Sequence, residues 1–277
     1  MKEIVLDIDG TLLSDEKQIS PKTKEALIQA QENGVKVILA SGRPSKGMFH
    51  LAHELQMDKH DGLVISNNGA KVTDIQTGEV LFNQALPIDL AKNVLEHLKG
   101  FDVIPMINDD EYMYVNDVFA PNGMITFREK TSSIIQYESR GNGFLLQERE
   151  DLAAFADFSL NKILIAAQAD YLAEHAEAIY APFKETLNGA FSAPFYFEIT
   201  DKGIDKAKAL DVVNKKLGIE AKDVIAFGDA HNDASIIQYA GVGVAMGNAH
   251  DDMKEMADFV TLSNNEDGIA HALEKFL

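Results

Sequence analysis

The chain opens with a short apolar run that passes directly into a polar turn, Ile4-Val5-Leu6-Asp7-Ile8-Asp9-Gly10-Thr11. The β-branched and apolar residues Ile4–Ile8 are typical of a buried parallel strand. Asp7 and Asp9 stand at the last turn of this strand, where both can reach one cation, and Mg²⁺ prefers such oxygen ligands. Gly10 lets the backbone turn sharply and approach a ligand. Taken alone, the same turn would also suit an acidic loop without chemistry, so its meaning depends on the rest of the chain.

A regular alternation of helices and strands follows this first strand. A helix is predicted from Ser20, a suitable N-cap, through Pro21 in its first turn to a stop at Gly34. The next apolar strand is Val35–Ala40. A helix, a third strand and a hairpin come next, over residues 44–55, 62–66 and 71–82. Strands that alternate with helices in this way imply right-handed crossovers and a parallel sheet.

The middle of the chain has an α+β pattern, and the alternation returns after it. The middle elements are helices over residues 88–98 and 171–184 and strands over 102–106, 112–115, 163–166 and 195–199. The later elements are helices over residues 206–217, 233–239, 251–256 and 267–276 and strands over 224–227 and 242–245. We therefore predict an α/β fold in which a Rossmann-like parallel-sheet core, residues 1–82 and 197–277, is interrupted by an inserted α+β domain, residues 83–196.

Size, charge and composition narrow the classes of function. The 277 residues, 46% of them hydrophobic, suffice for one large domain or two of ordinary size. Lys and Arg total 25 against 44 Asp and Glu, which gives a formal net charge of −19. A chain this acidic repels a phosphate backbone or an anionic membrane, so we expect neither a nucleic acid polymer nor a membrane as partner. The lack of cysteine excludes disulfides, thiol nucleophiles and zinc–thiolate sites.

The N-terminal residues do not have the pattern of a secretory signal. Asp7 and Asp9 interrupt the first apolar stretch almost at once. No other segment approaches the roughly 20 apolar residues that a helix needs to cross a bilayer. We expect a soluble, cytoplasmic protein.

Four polar clusters fall at or beside the carboxyl ends of predicted strands, where open parallel sheets bind ligands. The first is the acidic turn after Ile4–Ile8. The second, Ala40–Arg43, offers a hydroxyl and backbone N–H groups that lead into a helix, which suits an anion, although it also suits an ordinary turn. The third is Lys206, which could neutralise a phosphoryl group but alone would be interpreted as a solvated helix lysine. The fourth, Gly228–Asp233, supplies carboxylates and an amide, or a helix N-cap. Together they provide the groups that bind a metal and a phosphate and attack phosphorus.

At these clusters the sequence closely resembles the haloacid dehalogenase-like (HAD) superfamily, in particular its Cof-like phosphatases with a type IIB cap. Asp7–Thr11 matches the family's DxDGT, Ser41–Arg43 its T/S-G-R, Lys206 its third-motif lysine, and Gly228–Asp233 its GDxxND. Segments typical of the subgroup are Ser66–Ala70, Val244–Ala249 and Glu266–Ala270. The chain departs from the pattern at Ala207, where a glycine is common. The inserted segment falls where this subgroup carries its cap.

The resemblance implies a role for each site residue. Asp7 is the nucleophile that forms an aspartyl-phosphate, and Asp9 is the general acid and then the general base. Mg²⁺ is the implied cofactor, held by Asp7, the backbone carbonyl of Asp9 and Asp229, with Asp233 behind them. The residues implied to bind the phosphoryl oxygens are Ser41, Gly42, Lys206 and Asn232. Arg43 and Asn68 are placed at the edge of the site, and His231 is given no role.

The implied substrate is a small phosphorylated metabolite, such as a sugar phosphate or a similar phosphomonoester. The cap is expected to close over the site and choose this substrate. Large or charged cap side chains are candidates for its substrate-facing surface, although a structural role is favoured for each: Tyr112, Tyr114, Arg128 and Tyr196. The sequence does not indicate the oligomeric state.

Two other functions use parts of the same site. A phosphotransferase or phosphomutase would form the same aspartyl-phosphate and return the phosphate to a sugar. A non-catalytic module that binds phosphate esters would not need the Asp7/Asp9 pair. Dehalogenation is discounted, because it has no use for Asp9 or a metal.

Overall fold

The computed structural model describes residues 1–127 and 130–277. The chain divides into two compact units, Met1–Asn83 with Asp205–Leu277, and Gln84–Ile204. The second unit ends eight residues later than the sequence boundary at 196/197. The reason is the strand Tyr196–Asp201, which pairs with neighbours in the second unit through hydrogen bonds on both sides.

The secondary-structure elements alternate along the first and last parts of the chain. The strands are β1 (Glu3–Leu6), β2 (Lys36–Ala40), β3 (Leu63–Ser66), β4 (Lys71–Asp74), β5 (Val80–Asn83), β6 (Ile104–Asn108), β7 (Tyr112–Val115), β8 (Met124–Phe127), β9 (Lys130–Ser133), β10 (Leu145–Glu148), β11 (Ile163–Ala166), β12 (Leu187–Ala193), β13 (Tyr196–Asp201), β14 (Val224–Gly228), β15 (Val242–Ala245) and β16 (Phe259–Val260). The helices are α1 (Pro21–Glu32), α2 (Lys46–Glu54), α3 (Ile88–Leu98), α4 (Ile134–Asn142), α5 (Leu152–Phe155), α6 (Ala169–Tyr180), α7 (Lys206–Leu217), α8 (Ala234–Tyr239), α9 (Asp251–Met256) and α10 (Gly268–Phe276).

The first unit is built on a sheet with strand order β16-β15-β14-β1-β2-β3-β4-β5. The strands from β16 to β3 are parallel, and β4 and β5 form the predicted antiparallel hairpin at one edge. Alternate strand residues such as Ile4 and Val5 belong to separate buried clusters, because successive side chains point to opposite faces of a strand. The predicted Rossmann-like α/β fold is confirmed.

The register of the sheet aligns the ends of three strands. Leu6 of β1 pairs with Leu39 of β2 and with Phe227 of β14. The residues that follow, Asp7, Ala40 and Gly228, therefore emerge side by side at the carboxyl edge of the sheet.

Capping residues in the sequence mark the ends of helices α1 and α7. The Ser20 hydroxyl accepts a hydrogen bond from the Thr23 N–H and caps α1, as predicted. Asp205 caps α7 by accepting from the Lys208 N–H, and α7 ends at Gly218 with a φ of +69°. The cap at Asp205 makes Lys206 the first residue of α7.

The second unit has a six-stranded sheet of order β10-β7-β6-β11-β13-β12 and a separate two-stranded antiparallel sheet, β8-β9. One set of alternate strand residues packs with α3, α5 and α6, and the other set packs with α4. The sequence did not predict β8–β10, α4, α5 or β12. Strand β12 was missed because its apolar residues do not alternate regularly with polar ones and because it contains Gly189, a residue type that is depleted in strands.

In the described part of the chain, no helix combines the length and the apolar character that a membrane span requires.

Candidate active site

The centre of the site is Asp7, which follows β1 and is 5% exposed. The Lys206 ammonium lies 2.8 Å from Asp7 Oδ1 and 2.6 Å from Asp233 Oδ1, and it donates a third hydrogen bond to the Ala40 carbonyl at 2.9 Å. Lys206 is 1% exposed, so the alternative of a solvated helix lysine is wrong. An ammonium group has three N–H donors, so these three protein acceptors use all of them.

Burial and charge shift the pKa values of this group in defined directions. Burial raises the pKa of Asp7 to about 7; Lys206 opposes this shift, and Asp233 adds to it. Burial acts to lower the pKa of Lys206, but the carboxylates of Asp7 and Asp233 hold it above its usual value. Lys206 therefore stays charged and compensates two carboxylates that would otherwise repel each other.

The carboxylates of Asp229 and Asp233 complete an acidic cluster with Asp7. One carboxylate oxygen from each of the three residues lies within 4.8 Å of the other two, an arrangement that can hold a metal ion. Thr11 Oγ1 donates to Asp229 Oδ1 at 2.9 Å. Burial raises the pKa of Asp229, Thr11 lowers it, and Asp233 raises it further. Oxygen-only ligands of this kind suit a hard divalent cation.

Backbone contacts fix the loop that carries Asp229. Asp233 Oδ2 accepts hydrogen bonds of 3.1 Å from the N–H groups of Asp229 and Ala230. Two glycines allow the close approach, since a Cβ at Gly228 would collide with Asp233 and a Cβ at Gly10, whose φ is +90°, would collide with the Asp229 carboxylate. Asp233 therefore braces the loop while its other oxygen receives Lys206.

The Asp9 carboxylate belongs to a separate ion-pair group. Arg43 donates from Nε to Asp9 Oδ2 at 2.7 Å and from Nη2 to Oδ1 at 2.8 Å, and Lys17 Nζ lies 2.9 Å from Oδ1. Partial burial acts to raise the pKa of Asp9, but the hydrogen bonds and charges of Arg43 and Lys17 lower it below its usual value. Asp9 is thus an ionised carboxylate with 43% of its side chain exposed.

The residues predicted to bind phosphate come together beside this cluster. Ser41 is buried, and its hydroxyl accepts from the Arg43 N–H at 3.3 Å. The amide of Asn68 lies next to Gly42, and its Oδ1 accepts from Asn232 Nδ2 at 3.0 Å. Asn68, predicted at the edge of the site, thus contacts both Gly42 and Asn232, two of the residues predicted to bind phosphate.

A profile of the haloacid dehalogenase-like hydrolases matches residues 4–273. The chain belongs to this family. A solved haloacid dehalogenase-like hydrolase from Bacteroides thetaiotaomicron has a TM-score of 0.90 and 33% identity, and the match covers 100% of this chain and 99% of that one. The subclass IIB sugar phosphatase BT4131 has a TM-score of 0.77 and 26% identity, with coverage of 100% and 99%.

A curated relative from Bacillus subtilis is named a phosphatase. It is the 5-amino-6-(5-phospho-D-ribitylamino)uracil phosphatase YcsE, which is 32% identical over 278 residues. The match covers 100% of this chain and 96% of that protein. The resemblance to Cof-like HAD proteins and the prediction of a phosphatase of this family are both confirmed.

Two residues that contact this HAD-family site were given no role by the sequence. Lys17 bonds to Asp9 although it lies in no motif, and the Asn248 amide donates to the Gly10 carbonyl at 2.8 Å. Asn248 lies in Val244–Ala249, a segment typical of the subgroup, so the sequence contains a signal for this residue but does not indicate its role. His231 is exposed and pairs with Asp252 at 2.8 Å.

The candidate residues of the second unit have structural contacts. The Tyr114 hydroxyl donates to Asp109 at 2.6 Å and its ring packs against Phe155. The Tyr196 hydroxyl donates to Glu138 at 2.6 Å, and Tyr196 is buried. The Tyr112 ring lies beside that of Tyr114, with 6.0 Å between their centroids. Arg128 lies outside the described residues.

Proposed function

We propose that this HAD-family protein is a Mg²⁺-dependent phosphatase that hydrolyses small phosphorylated metabolites through an aspartyl-phosphate on Asp7. One observation carries the proposal: a buried Asp7 carboxylate, held by Lys206, adjoins two further carboxylates at the carboxyl edge of a parallel sheet. A site that only bound phosphate esters would not need the Asp7/Asp9 pair, which supplies a nucleophile and a proton donor.

The first step is an attack by Asp7 on phosphorus. Lys206 holds Oδ1, which leaves Oδ2 to form the new bond while the ester P–O bond breaks. Asp9 supplies the proton that the departing alkoxide requires. Its ion pairs with Arg43 and Lys17 favour the ionised form, so they have to loosen and Asp9 has to take up a proton from solvent before it donates one to the alkoxide.

The second step regenerates the carboxylate. Asp9 takes a proton from water, the water oxygen bonds to phosphorus, and the bond between phosphorus and the Asp7 oxygen breaks. The ionised state of Asp9 suits this step, because a general base has to be unprotonated. The products are inorganic phosphate and free Asp7.

The oxygen ligands of the acidic cluster fit the proposed Mg²⁺. Asp7, Asp229 and the backbone carbonyl of Asp9 would hold the ion, and Asp233 would keep the loop that carries Asp229 in place. When bound, Mg²⁺ supplies positive charge that offsets the repulsion between the Asp7 carboxylate and the phosphate ester.

The phosphoryl oxygens are bound by neutral donors in this proposal. These are the Ser41 hydroxyl, the Gly42 N–H and the Asn232 amide, and Arg43 lies at the edge of the site. Lys206 acts through its charge, since its three N–H donors already bind protein oxygens.

A panel of phosphorylated metabolites, assayed for free phosphate with and without Mg²⁺, tests this function. We expect Mg²⁺-dependent release of phosphate from sugar phosphates or similar monoesters, in keeping with the names of the relatives. Conversion of hexose phosphates without free phosphate would instead indicate a phosphotransferase or phosphomutase. Tight binding without turnover would indicate a non-catalytic module. The choice of substrate by the second unit and a cytoplasmic location stay predictions.

A further inference from the structure

The turn after β3 holds three consecutive residues in left-handed backbone conformations. The φ angles of Asn67, Asn68 and Gly69 are +50°, +56° and +103°. Glycine adopts this conformation freely and asparagine tolerates it better than most residues, but two consecutive L-residues with positive φ are unusual. Such a turn persists only where the surrounding structure holds it in place.

The surrounding contacts come first from the loop after the neighbouring strand β2. The Asn68 N–H donates to the Ser41 carbonyl at 2.9 Å, and the Asn67 N–H donates to the Arg43 carbonyl at 2.9 Å. Gly42 lies between these two acceptors, and a Cβ on it would lie 3.2 Å from Asn68 Nδ2. The turn therefore sets the position of the Gly42 peptide from both sides.

The same turn contacts two other elements of the site. Gly69 packs against the start of α7 so closely that a Cβ on it would collide with the Asp205 carbonyl oxygen. Asn68 Oδ1 also accepts from Asn232 Nδ2 at 3.0 Å. One three-residue turn thus touches the segments that carry Gly42, Lys206 and Asn232, which come from three separate stretches of the chain.

We propose that Asn68 is a positioning residue for phosphoryl transfer, an inference that rests on the proposed function. Its left-handed backbone fixes the Ser41–Arg43 peptides, and its Oδ1 holds one N–H of the Asn232 amide. The second N–H of that amide then binds a phosphoryl oxygen. Asn68 acts through Gly42 and Asn232, and no contact of its own with substrate is required.

The substitution Asn68→Gly tests the side chain alone, because glycine keeps the left-handed backbone at no steric cost. We expect kcat/KM with p-nitrophenyl phosphate to fall about tenfold and the inhibition constant of inorganic phosphate to rise by a similar factor, as is common when a supporting contact of a site is lost. The thermal midpoint should not fall.

Gln56→Gly is the matched control. Gln56 also has an amide side chain and a left-handed backbone, with a φ of +57°. It lies just after α2 and before β3, at the other end of the strands, and its side-chain oxygen accepts a hydrogen bond from Lys59 Nζ at 3.0 Å. Its kcat/KM should stay within about twofold of the wild type, since distant sites couple weakly.

A double-mutant cycle with Asn232→Ala separates a positioning role from a general structural one. If Asn68 acts mainly through Asn232, adding Asn68→Gly to Asn232→Ala should lower kcat/KM by less than about twofold more. Additive losses, or an Asn68→Gly enzyme that equals Gln56→Gly, would overturn the inference. A wild type that releases no phosphate from any ester would instead remove the proposed function, and the role of Asn68 with it.

Discussion

Lys206 is a buried cation between two carboxylates, and its removal leaves both uncompensated. We expect Lys206→Met to lower the free energy of unfolding by ~3–5 kcal/mol, the usual cost of breaking a buried ion pair, and to abolish turnover because Asp7 loses its support. Urea unfolding and phosphate release measure the two effects. Lys215→Met, which removes an exposed ion pair with Asp211, is the control and should change neither by much. A stable, active Lys206→Met enzyme would contradict the charge-balance role.

The sequence predicted which residues form the candidate site, but it did not predict the contacts of Lys206. Its position in a motif identified it, whereas its local surroundings, with Lys208 nearby and a helix start, are those of an exposed lysine. Lys206 is paired with Asp7, which is 199 positions away in the sequence, and with Asp233. Long-range contacts of this kind follow from the sheet register, which no local pattern encodes.

Glu3 is a second buried charge, and it gives stability a pH dependence. It is 0% exposed, accepts from Asn214 Nδ2 at 2.6 Å, and has no partner in the described residues for Oε1; Asn214 Oδ1 likewise lacks one. Burial raises the pKa of Glu3 to about 7, against the opposing effects of Asn214 and Lys36. A protonated Glu3 would give the carboxyl a hydrogen-bond donor, which suits the amide oxygen of Asn214.

The direction in which stability changes with pH follows from the linkage between folding and proton binding. Because the folded pKa lies above the unfolded value, the stability that protonated Glu3 contributes is complete below pH 4.5 and is lost as the pH rises through 7. We expect Glu3→Gln to gain stability relative to wild type between pH 4.5 and pH 8, by up to about 3 kcal/mol. Urea unfolding at several pH values measures the difference. A difference that does not vary with pH would show that Glu3 titrates normally.

At the scale of elements, the loop after β1 is held by residues from the end of the chain. The Asn248 amide donates to the Gly10 carbonyl at 2.8 Å and accepts from the Asn264 N–H at 3.0 Å. Gly10 adjoins Asp9, whose carbonyl is proposed to bind Mg²⁺. We expect Asn248→Ala to raise the Mg²⁺ concentration needed for half-maximal activity about tenfold.

A control for this prediction lies in the same loop. Asn265 Oδ1 accepts from the Asp15 N–H at 3.0 Å. This is also a contact between an asparagine side chain and the backbone of the loop after β1, but Asp15 is farther along the chain from Asp9 than Gly10 is. Asn265→Ala should leave the Mg²⁺ requirement within about twofold of the wild type. Equal shifts in both variants would mean that Asn248 only stabilises the loop.

Elements with strong apolar periodicity were predicted well, and weakly apolar edge elements were not. The hydrophobic strands β1, β2 and β14 were predicted within two residues at each end, because burial on both faces makes them nearly continuous apolar runs. Strand β9, Lys130–Ser133, contains no apolar residue, and within the described ranges β8 is its one strand partner, so nothing in its composition marks it as a strand.

At the scale of the whole molecule, each of the two units has its own buried core, and the acidic cluster belongs to the first. A ligand that binds only the folded state raises stability, by about 2.7 kcal/mol at a hundredfold excess over its dissociation constant. We expect Mg²⁺ to raise the thermal midpoint of the wild type. Asp229→Asn should show a much smaller rise, because it lacks a proposed ligand. An equal rise in both proteins would indicate that Mg²⁺ binds elsewhere.

The central claim is that Asp7 is the nucleophile, and Asp7→Asn tests it most directly. Asparagine keeps the size of the side chain but cannot attack phosphorus, so we expect phosphate release from p-nitrophenyl phosphate to fall by about 10³-fold or more, with circular dichroism unchanged. Asp157→Asn, a change at an exposed side chain in the second unit, is the control and should keep full activity. Substantial residual turnover by a folded Asp7→Asn enzyme would contradict the account.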